Sequence, residues 1–70
     1  MDYVFIACHH DRHTDDQYEA FTTEAAAKEQ CRQWFRHWIG SCEENNQYGD
    51  WCLFVNDDYY TFVQKVAVRS

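Results

Sequence analysis

The sequence contains no proline, only two glycines, a single leucine and no long apolar run. Gly40 and Gly49 stand far from any other glycine, so no glycine-rich loop is available to cradle a phosphate. No apolar stretch approaches the roughly 20 residues that a membrane-spanning helix needs. The chain also lacks repeats and low-complexity tracts. These absences argue against a phosphate-binding loop and against a transmembrane segment.

Basic residues are scarce as well. Six Lys and Arg stand against twelve Asp and Glu, which gives a net charge of -6. A protein that binds a phosphate backbone needs clustered Lys and Arg, so we do not expect direct nucleic-acid binding as the main function. The acidity is compatible with binding a basic protein surface, including one that normally holds nucleic acid.

Seventy residues make a single domain, residues 1–70, with a thin core. A chain of this size buries only roughly 60% of its unfolded surface. Three Trp, five Tyr and five Phe compensate, because each aromatic side chain buries a large area. We expect several of them to stay partly exposed and to serve a partner surface or a homodimer.

Four cysteines raise the question of disulfides. The start of the sequence, Met1 followed by Asp2 and a short strand-like run, has no basic segment or cleavage site typical of a signal peptide. We therefore expect a cytoplasmic protein with reduced thiols. Cys8, Cys31 and Cys52 lie in apolar runs, where a free cysteine often serves as a small core residue.

The strongest pattern is a helix over residues 22–40. Thr22 or Thr23 can cap its start, three alanines favour its body, and Gly40 is typical of a C-terminal cap. Residues spaced around a helical axis form one apolar stripe: Ala27, Cys31, Trp34 and Trp38, with Phe35 on its shoulder. A neighbouring basic stripe contains Lys28, Arg32 and Arg36.

The remaining segments read as strands. Residues 3–8, 17–21, 50–56 and 59–68 are rich in aromatic and β-branched residues and are separated by polar stretches, among them 9–16 and 41–50. The predicted fold is α+β in the order β-β-α-β-β. Two hairpins form a four-stranded antiparallel sheet, and the helix packs on one face.

The last strand has two different faces. Tyr60, Phe62, Val66 and Val68 share the more apolar one, which we expect to pack on the helix. Tyr59, Thr61, Val63, Lys65 and Ala67 share the other, which we expect to face solvent as a half-apolar docking surface or dimer seam.

Two patterns could carry site chemistry. Cys8, His9, His10 and His13 are the densest set of metal-ligand types, and Cys8 with His10 and His13 could form a zinc site, although zinc-finger spacing is absent. Cysteine, histidine and carboxylate groups are all present, but no motif joins them for nucleophilic catalysis. We expect no enzyme activity, no cofactor and no metal, and keep the zinc module as an alternative.

Acidic pairs recur in the predicted loops and turns. Brought to one edge, they would form a negative strip that steers association with a cationic groove. The predicted partner-binding residues are Asp11, Asp15, Asp16, Glu43, Glu44, Asp57, Asp58 and Tyr59.

In size, acidity and aromatic content the chain resembles small phage-encoded inhibitors of host or bacterial defence proteins, the anti-CRISPR proteins among them. The resemblance implies a non-enzymatic viral inhibitor that acts in the host cytoplasm by docking on a nucleic-acid-handling protein.

Besides the inhibitor and the zinc module, a third possibility is a binder of single-stranded nucleic acid. It would use Tyr59 and Lys65 on the open sheet face and Arg32 and Arg36 on the helix.

Overall fold

The computed structural model describes residues 2–68. Five strands form one antiparallel sheet in the spatial order β2-β1-β5-β4-β3, and a single helix lies between β2 and β3 in the chain. The elements are β1 (Asp2–Asp11), β2 (Gln17–Phe21), α1 (Glu24–Trp34), β3 (Glu43–Asn45), β4 (Trp51–Asn56) and β5 (Tyr59–Val68). The α+β class and the antiparallel sheet with one helix are confirmed.

The predicted number of strands was wrong by one. Glu43–Asn45 lies in the stretch that we expected to be a loop, and it pairs with Phe54, Leu53 and Cys52 at the edge of the sheet. Three polar residues have no strand-like pattern, and pairing with β4 decides their conformation. β1 is also longer than predicted, because residues 9–11 continue its pairing with β5 as far as Tyr59.

The helix begins as expected and ends early. The Thr23 side chain accepts a hydrogen bond from the Ala26 N–H at 3.2 Å, and Glu24 occupies the first turn. The helix stops at Trp34, and turns occupy residues 35–41. Gly40 is therefore not its C-terminal cap; that position belongs to Phe35, with a negative φ. The aromatic residues after Trp34 are weaker helix formers than the alanines, so tertiary contacts decide where the helix ends.

The helix covers a face different from the one we expected. Thr61 and Val63 of β5 are almost fully buried, and Val63 packs with Ala7, Ala27 and Cys31 in the core. The small side chains of Ala7 and Ala27 let the helix approach the sheet closely. The prediction that the Thr61 and Val63 face is open to solvent is wrong.

The core lies between α1 and this face of β1, β5 and β4. Its buried members are Ala7, Ala27, Cys31, Phe35, Trp51, Leu53 and Val63. Phe35 is fully buried, whereas Trp38, which we placed on the buried stripe, is 39% exposed. The described part of the chain, residues 2–68, contains no helix with the length and apolar character that crossing a membrane requires.

Candidate partner-binding site

The strand order brings most of the predicted acidic residues to one end of the sheet. β1 ends at Asp11, which pairs with Tyr59 at the start of β5. The turn between β4 and β5 contains Asp57 and Asp58, and the loop after β1 contains Asp15 and Asp16. We call this region the acidic end; it comprises Asp11, Asp15, Asp16, Asp57 and Asp58.

Two contacts hold the two acidic segments together. The Arg12 guanidinium lies 3.3 Å from the Asp58 carboxylate, and the Arg12 N–H donates to the Asp58 carbonyl oxygen at 3.1 Å. Both side chains of the ion pair are more than half exposed, so the pair by itself stabilises the fold little. The backbone bond fixes the first loop against the last hairpin, although 46 positions separate these residues in the sequence.

Short local hydrogen bonds shape the two turns. The Asp11 carboxylate accepts from the His13 N–H at 2.9 Å, and the Asn56 side-chain oxygen accepts from the Asp58 N–H at 2.8 Å. Such side-chain to backbone bonds replace missing backbone partners in tight turns. Asp11 therefore has a structural role as well as a charge, and Asp15 and Asp57 are the freer acidic positions for recognition.

Glu43 and Glu44 do not join the acidic end in the same way. The register pairs Glu43 with Phe54, whose neighbour on β5 is Tyr60, so Glu43 lies at the same level of the sheet but on its far edge strand. Glu44 points to the opposite face, where its carboxylate accepts from the Trp51 indole N–H at 2.7 Å. The predicted negative strip thus includes Glu43 at its margin and excludes Glu44.

An exposed apolar shoulder borders the acidic end on the helix side. Trp38 and Ile39, in the turns after α1, are 39% and 51% exposed. The Trp38 ring lies 5.9 Å from that of Tyr59, which itself packs partly against the core. Arg36 and His37 are exposed in the same turns. Sequence reasoning missed this shoulder because it assigned Trp38 to the buried stripe of a longer helix.

A histidine–carboxylate pair links the acidic end to the sheet face that the helix leaves uncovered. His10 Nδ1 lies 2.8 Å from an Asp16 oxygen, and the ring of His10 stacks on that of Tyr60 at 4.7 Å. Cys8 points to the same face. Burial, and then the charge of Asp16, raise the pKa of the Cys8 thiol. A thiol whose pKa is raised is a poor nucleophile, so this triplet of residue types does not resemble an activated catalytic site.

The alternative zinc site is not assembled. Within residues 2–68, no three His, Cys, Asp or Glu side chains come together in a way that could hold a metal ion. His10 is bonded to Asp16, and His9 points to the helix face, where its ring contacts Trp34 and Phe35. All four cysteines are free thiols, and Cys8, Cys31 and Cys52 are buried, as their apolar surroundings predicted.

The residues proposed for single-stranded nucleic-acid binding do not lie together on one open surface. Thr61 is buried beneath the helix and Tyr59 is half-buried. Lys65 is exposed, and its ammonium lies 4.1 Å from the centre of the Tyr3 ring. Arg32 covers the Trp51 ring at 5.6 Å and is 3.8 Å from Glu29. Lys65 and Arg32 are therefore engaged with other side chains of the chain, whereas Arg36 is exposed in the turns after the helix. With Thr61 buried, the sheet face does not form the open stacking platform that this alternative requires.

No protein-family model matches the chain, and neither a curated protein nor a solved structure matches it.

Proposed function

We propose that this protein is a non-enzymatic protein-binding module whose acidic end docks on a basic surface of its partner. The observation that carries the proposal is the joining of two acidic segments, far apart in sequence, by the contacts of Arg12 with Asp58. Five carboxylates thereby act from one side of the molecule, with one guanidinium among them. Such a field accelerates encounter with a cationic surface and suppresses acidic competitors.

The apolar shoulder supplies the second part of an interface. Protein interfaces combine an apolar centre, often with Trp, and a polar rim. Trp38 and Ile39 are exposed beside the acidic end and are large enough to anchor a partner. Charge then guides the approach, and burial of the indole contributes to the lifetime of the complex.

The partner class follows from the charge. Many strongly basic protein surfaces are those that hold nucleic acid, and an acidic module on such a surface excludes the nucleic acid from it. An inhibitor of a nucleic-acid-handling protein is therefore the form of this function that we propose. A phage-encoded anti-defence protein, for example one of anti-CRISPR type, is one such inhibitor.

The test is capture of partners from a bacterial lysate at low and high salt. The tagged chain is compared with Asp15→Asn/Asp57→Asn, which removes two charges at the acidic end. The matched control is Glu19→Gln/Glu29→Gln, which removes two exposed charges elsewhere. We expect a basic protein that wild type and control retain at low salt, that the acidic-end variant loses, and whose nucleic-acid binding the wild-type chain blocks.

Two outcomes would count against the proposal. If Asp15→Asn/Asp57→Asn retains the basic partner as well as wild type does, these carboxylates do not contribute to docking. A captured protein whose binding to nucleic acid is unaffected by the wild-type chain would remove the inhibitor reading while leaving the docking surface in place.

A further inference from the structure

Strand β2 is an edge of the sheet, and within residues 2–68 no strand pairs with its outer side. Its residues from Gln17 to Ala20 are exposed, and its register with β1 is unbroken. Edge strands are often protected by lysine, proline, a bulge or a covering element. β2 contains no lysine, proline or bulge, and β3, at the opposite edge, has only three residues. β2 is therefore the longer of the two edges at which another strand can pair.

Hydrogen bonds elsewhere in the sheet show which backbone groups of β1 face β5. The Arg12 N–H donates to the Asp58 carbonyl oxygen, and these two residues continue the register of β1 with β5 by one pair. Bonded and non-bonded pairs alternate along an antiparallel ladder, so the even-numbered residues of β1 bond to β5. The far side of β5 agrees, because the odd-numbered Val63 accepts from the Asp50 N–H, beside β4, at 2.9 Å.

The same alternation identifies the backbone groups at the free edge of β2. The odd-numbered residues of β1 bond to β2, and they lie opposite Gln17, Glu19 and Phe21. Tyr18 and Ala20 therefore direct their N–H and C=O groups away from the sheet. Within residues 2–68, no hydrogen bond involves these four groups. Two donors and two acceptors are thus available to an added strand.

The surroundings of this edge are acidic. Asp15 and Asp16 of the acidic end lie directly before β2, and Glu19 lies within it. Residues 14–27 contain no Lys or Arg. Glu24, at the start of α1, is paired with Lys28 at 2.7 Å, so the unbalanced charge lies at the start and the middle of β2. A strand that carries Lys or Arg complements this edge.

A second copy of β2 does not fit the edge. A two-fold pairing that uses both outward residues sets Tyr18 of each copy opposite Ala20 of the other, which places the two copies of Glu19 directly opposite each other. Like charges in that position destabilise a sheet. Each copy also carries a net charge of -6. Charge therefore favours a basic strand from a different protein.

We propose that β2 binds an extended segment of the basic partner, which adds to the sheet as an antiparallel strand. The inference rests on the proposed docking function and names the element that holds the partner. Backbone bonds to Tyr18 and Ala20 supply affinity, and side chains of the added strand supply specificity. Residues opposite Tyr18 and Ala20 lie on the face away from the helix and are apolar.

Basic residues of the added strand follow the acidic ones of this chain. They lie at its C-terminal end, which antiparallel pairing places beside Asp15 and Asp16, and opposite Glu19. A single exposed ion pair contributes little, so Glu19→Gln/Glu29→Gln still retains the partner.

The experiment is a nuclear magnetic resonance titration of the isotopically labelled chain with the synthetic peptide Thr-Val-Lys-Val-Thr-Lys-Lys. Concentrations up to about 5 mM detect binding of millimolar strength. Antiparallel pairing places the two valines opposite Ala20 and Tyr18 and the last two lysines beside Asp16 and Asp15. The test peptide is methylated on the backbone nitrogens of both valines, which removes the N–H groups that face β2.

The matched control peptide is methylated on the backbone nitrogens of the first lysine and the second threonine, which face away from β2. It has the same mass and charge as the test peptide. We expect the unmodified and control peptides to shift the amide signals of Tyr18 and Ala20 with similar affinity. The test peptide should bind at least about tenfold more weakly, because two hydrogen bonds are lost.

Three outcomes overturn the inference. The first is equal binding of the two methylated peptides, because charge alone would then hold them. The second is a titration in which signals move only at the acidic end and not at Tyr18 and Ala20. The third is no binding of the unmodified peptide at the highest concentration.

Strand addition and charge-guided docking fail separately. Equal binding of the two methylated peptides that weakens with salt and in Asp15→Asn/Asp57→Asn removes strand addition and supports docking by the acidic end. A tenfold difference between these peptides that persists at high salt and in Asp15→Asn/Asp57→Asn supports strand addition and removes the role of the acidic end.

Discussion

The rings of Tyr48 and Tyr60 lie face to face, with their centroids 3.9 Å apart and their planes 2° from parallel. Tyr48 belongs to the loop between β3 and β4, and Tyr60 belongs to β5. The Tyr60 ring also stacks on that of His10, which bonds to Asp16. The loop is thereby connected through the sheet face to the acidic end, and the stack decides which half of that face stays uncovered.

Replacement of Tyr48 by alanine should expose the half of the sheet face that the loop between β3 and β4 covers. We expect a loss of about 1–3 kcal/mol in the free energy of unfolding, from the lost aromatic pairing and the lost burial. Urea unfolding measures the loss, and increased binding of a hydrophobic dye reports the exposed face. Asn46→Ala, an exposed position in the same loop, should change neither quantity. Equal behaviour of the two variants would show that the stack contributes nothing to stability.

Gly49 is required by the same loop. Its φ is +61°, and an added Cβ would lie 2.7 Å from the Val63 carbonyl oxygen and 2.8 Å from a ring carbon of Phe62. We expect Gly49→Ala to lower the free energy of unfolding by about 2–4 kcal/mol, from backbone strain and overpacking.

Gly40 gives the matched comparison for Gly49. A Cβ added there meets no atom within 4 Å. Gly40→Ala should therefore leave the stability unchanged or raise it by up to about 1 kcal/mol, because it restricts the unfolded chain. Thermal unfolding of both variants tests the pair, and a destabilised Gly40→Ala would contradict the open environment of this residue.

Phe35 and Trp38 should separate folding from binding. Phe35 is fully buried in the core, and its truncation to alanine costs about 3–5 kcal/mol, which matches the whole stability expected of a 70-residue domain. We expect Phe35→Ala to lose cooperative unfolding. Trp38→Ala should remain folded, at a cost below about 1 kcal/mol for a surface position.

The binding of Trp38→Ala completes this comparison. If Trp38 anchors the partner, the folded variant should retain the basic partner at least about tenfold less well, as expected of an interface hot spot. Wild-type retention by Trp38→Ala would restrict the interface to the acidic end.

His9 should make stability depend on pH. Its ring contacts Trp34 and Phe35, and its Nδ1 atom is buried without a hydrogen-bond partner among residues 2–68. Burial lowers the pKa of His9 below its usual value near 6.5, and this effect outweighs the opposing charges of Asp11 and Asp16. As the pH falls below about 6.5, His9 takes up a proton in the unfolded chain but not in the folded chain. The free energy of unfolding therefore decreases as the pH falls.

The variant His9→Phe removes this titration. We expect the free energy of unfolding of His9→Phe to fall less than that of wild type between about pH 7.5 and pH 5.5, as measured by urea unfolding. His13→Gln, at an exposed position, should follow wild type. If the free energy of unfolding of His9→Phe falls as much as that of wild type, the pH dependence comes from other groups.

The sequence by itself determined the local elements. The alanines and Thr23 define the start of the helix, and the dense aromatic and β-branched runs define β1, β2, β4 and β5, because these signals depend on neighbours within a few residues. Antiparallel pairing within each hairpin follows from the short connections. The burial of Cys8, Cys31 and Cys52 could be predicted from their apolar surroundings.

Only the tertiary structure decided which face of the sheet the helix covers. Both faces of β5 are rich in apolar residues, so periodicity could not distinguish them, and the close fit of the helix to Ala7 and Val63 selected one. Pairing with β4 created β3 from three polar residues, and burial of Phe35 ended the helix before Trp38. The acidic end depends on β1 and β5 being neighbours. No local sequence pattern predicts that β1 and β5 are neighbours, because Arg12 and Asp58 meet only when the whole sheet is formed.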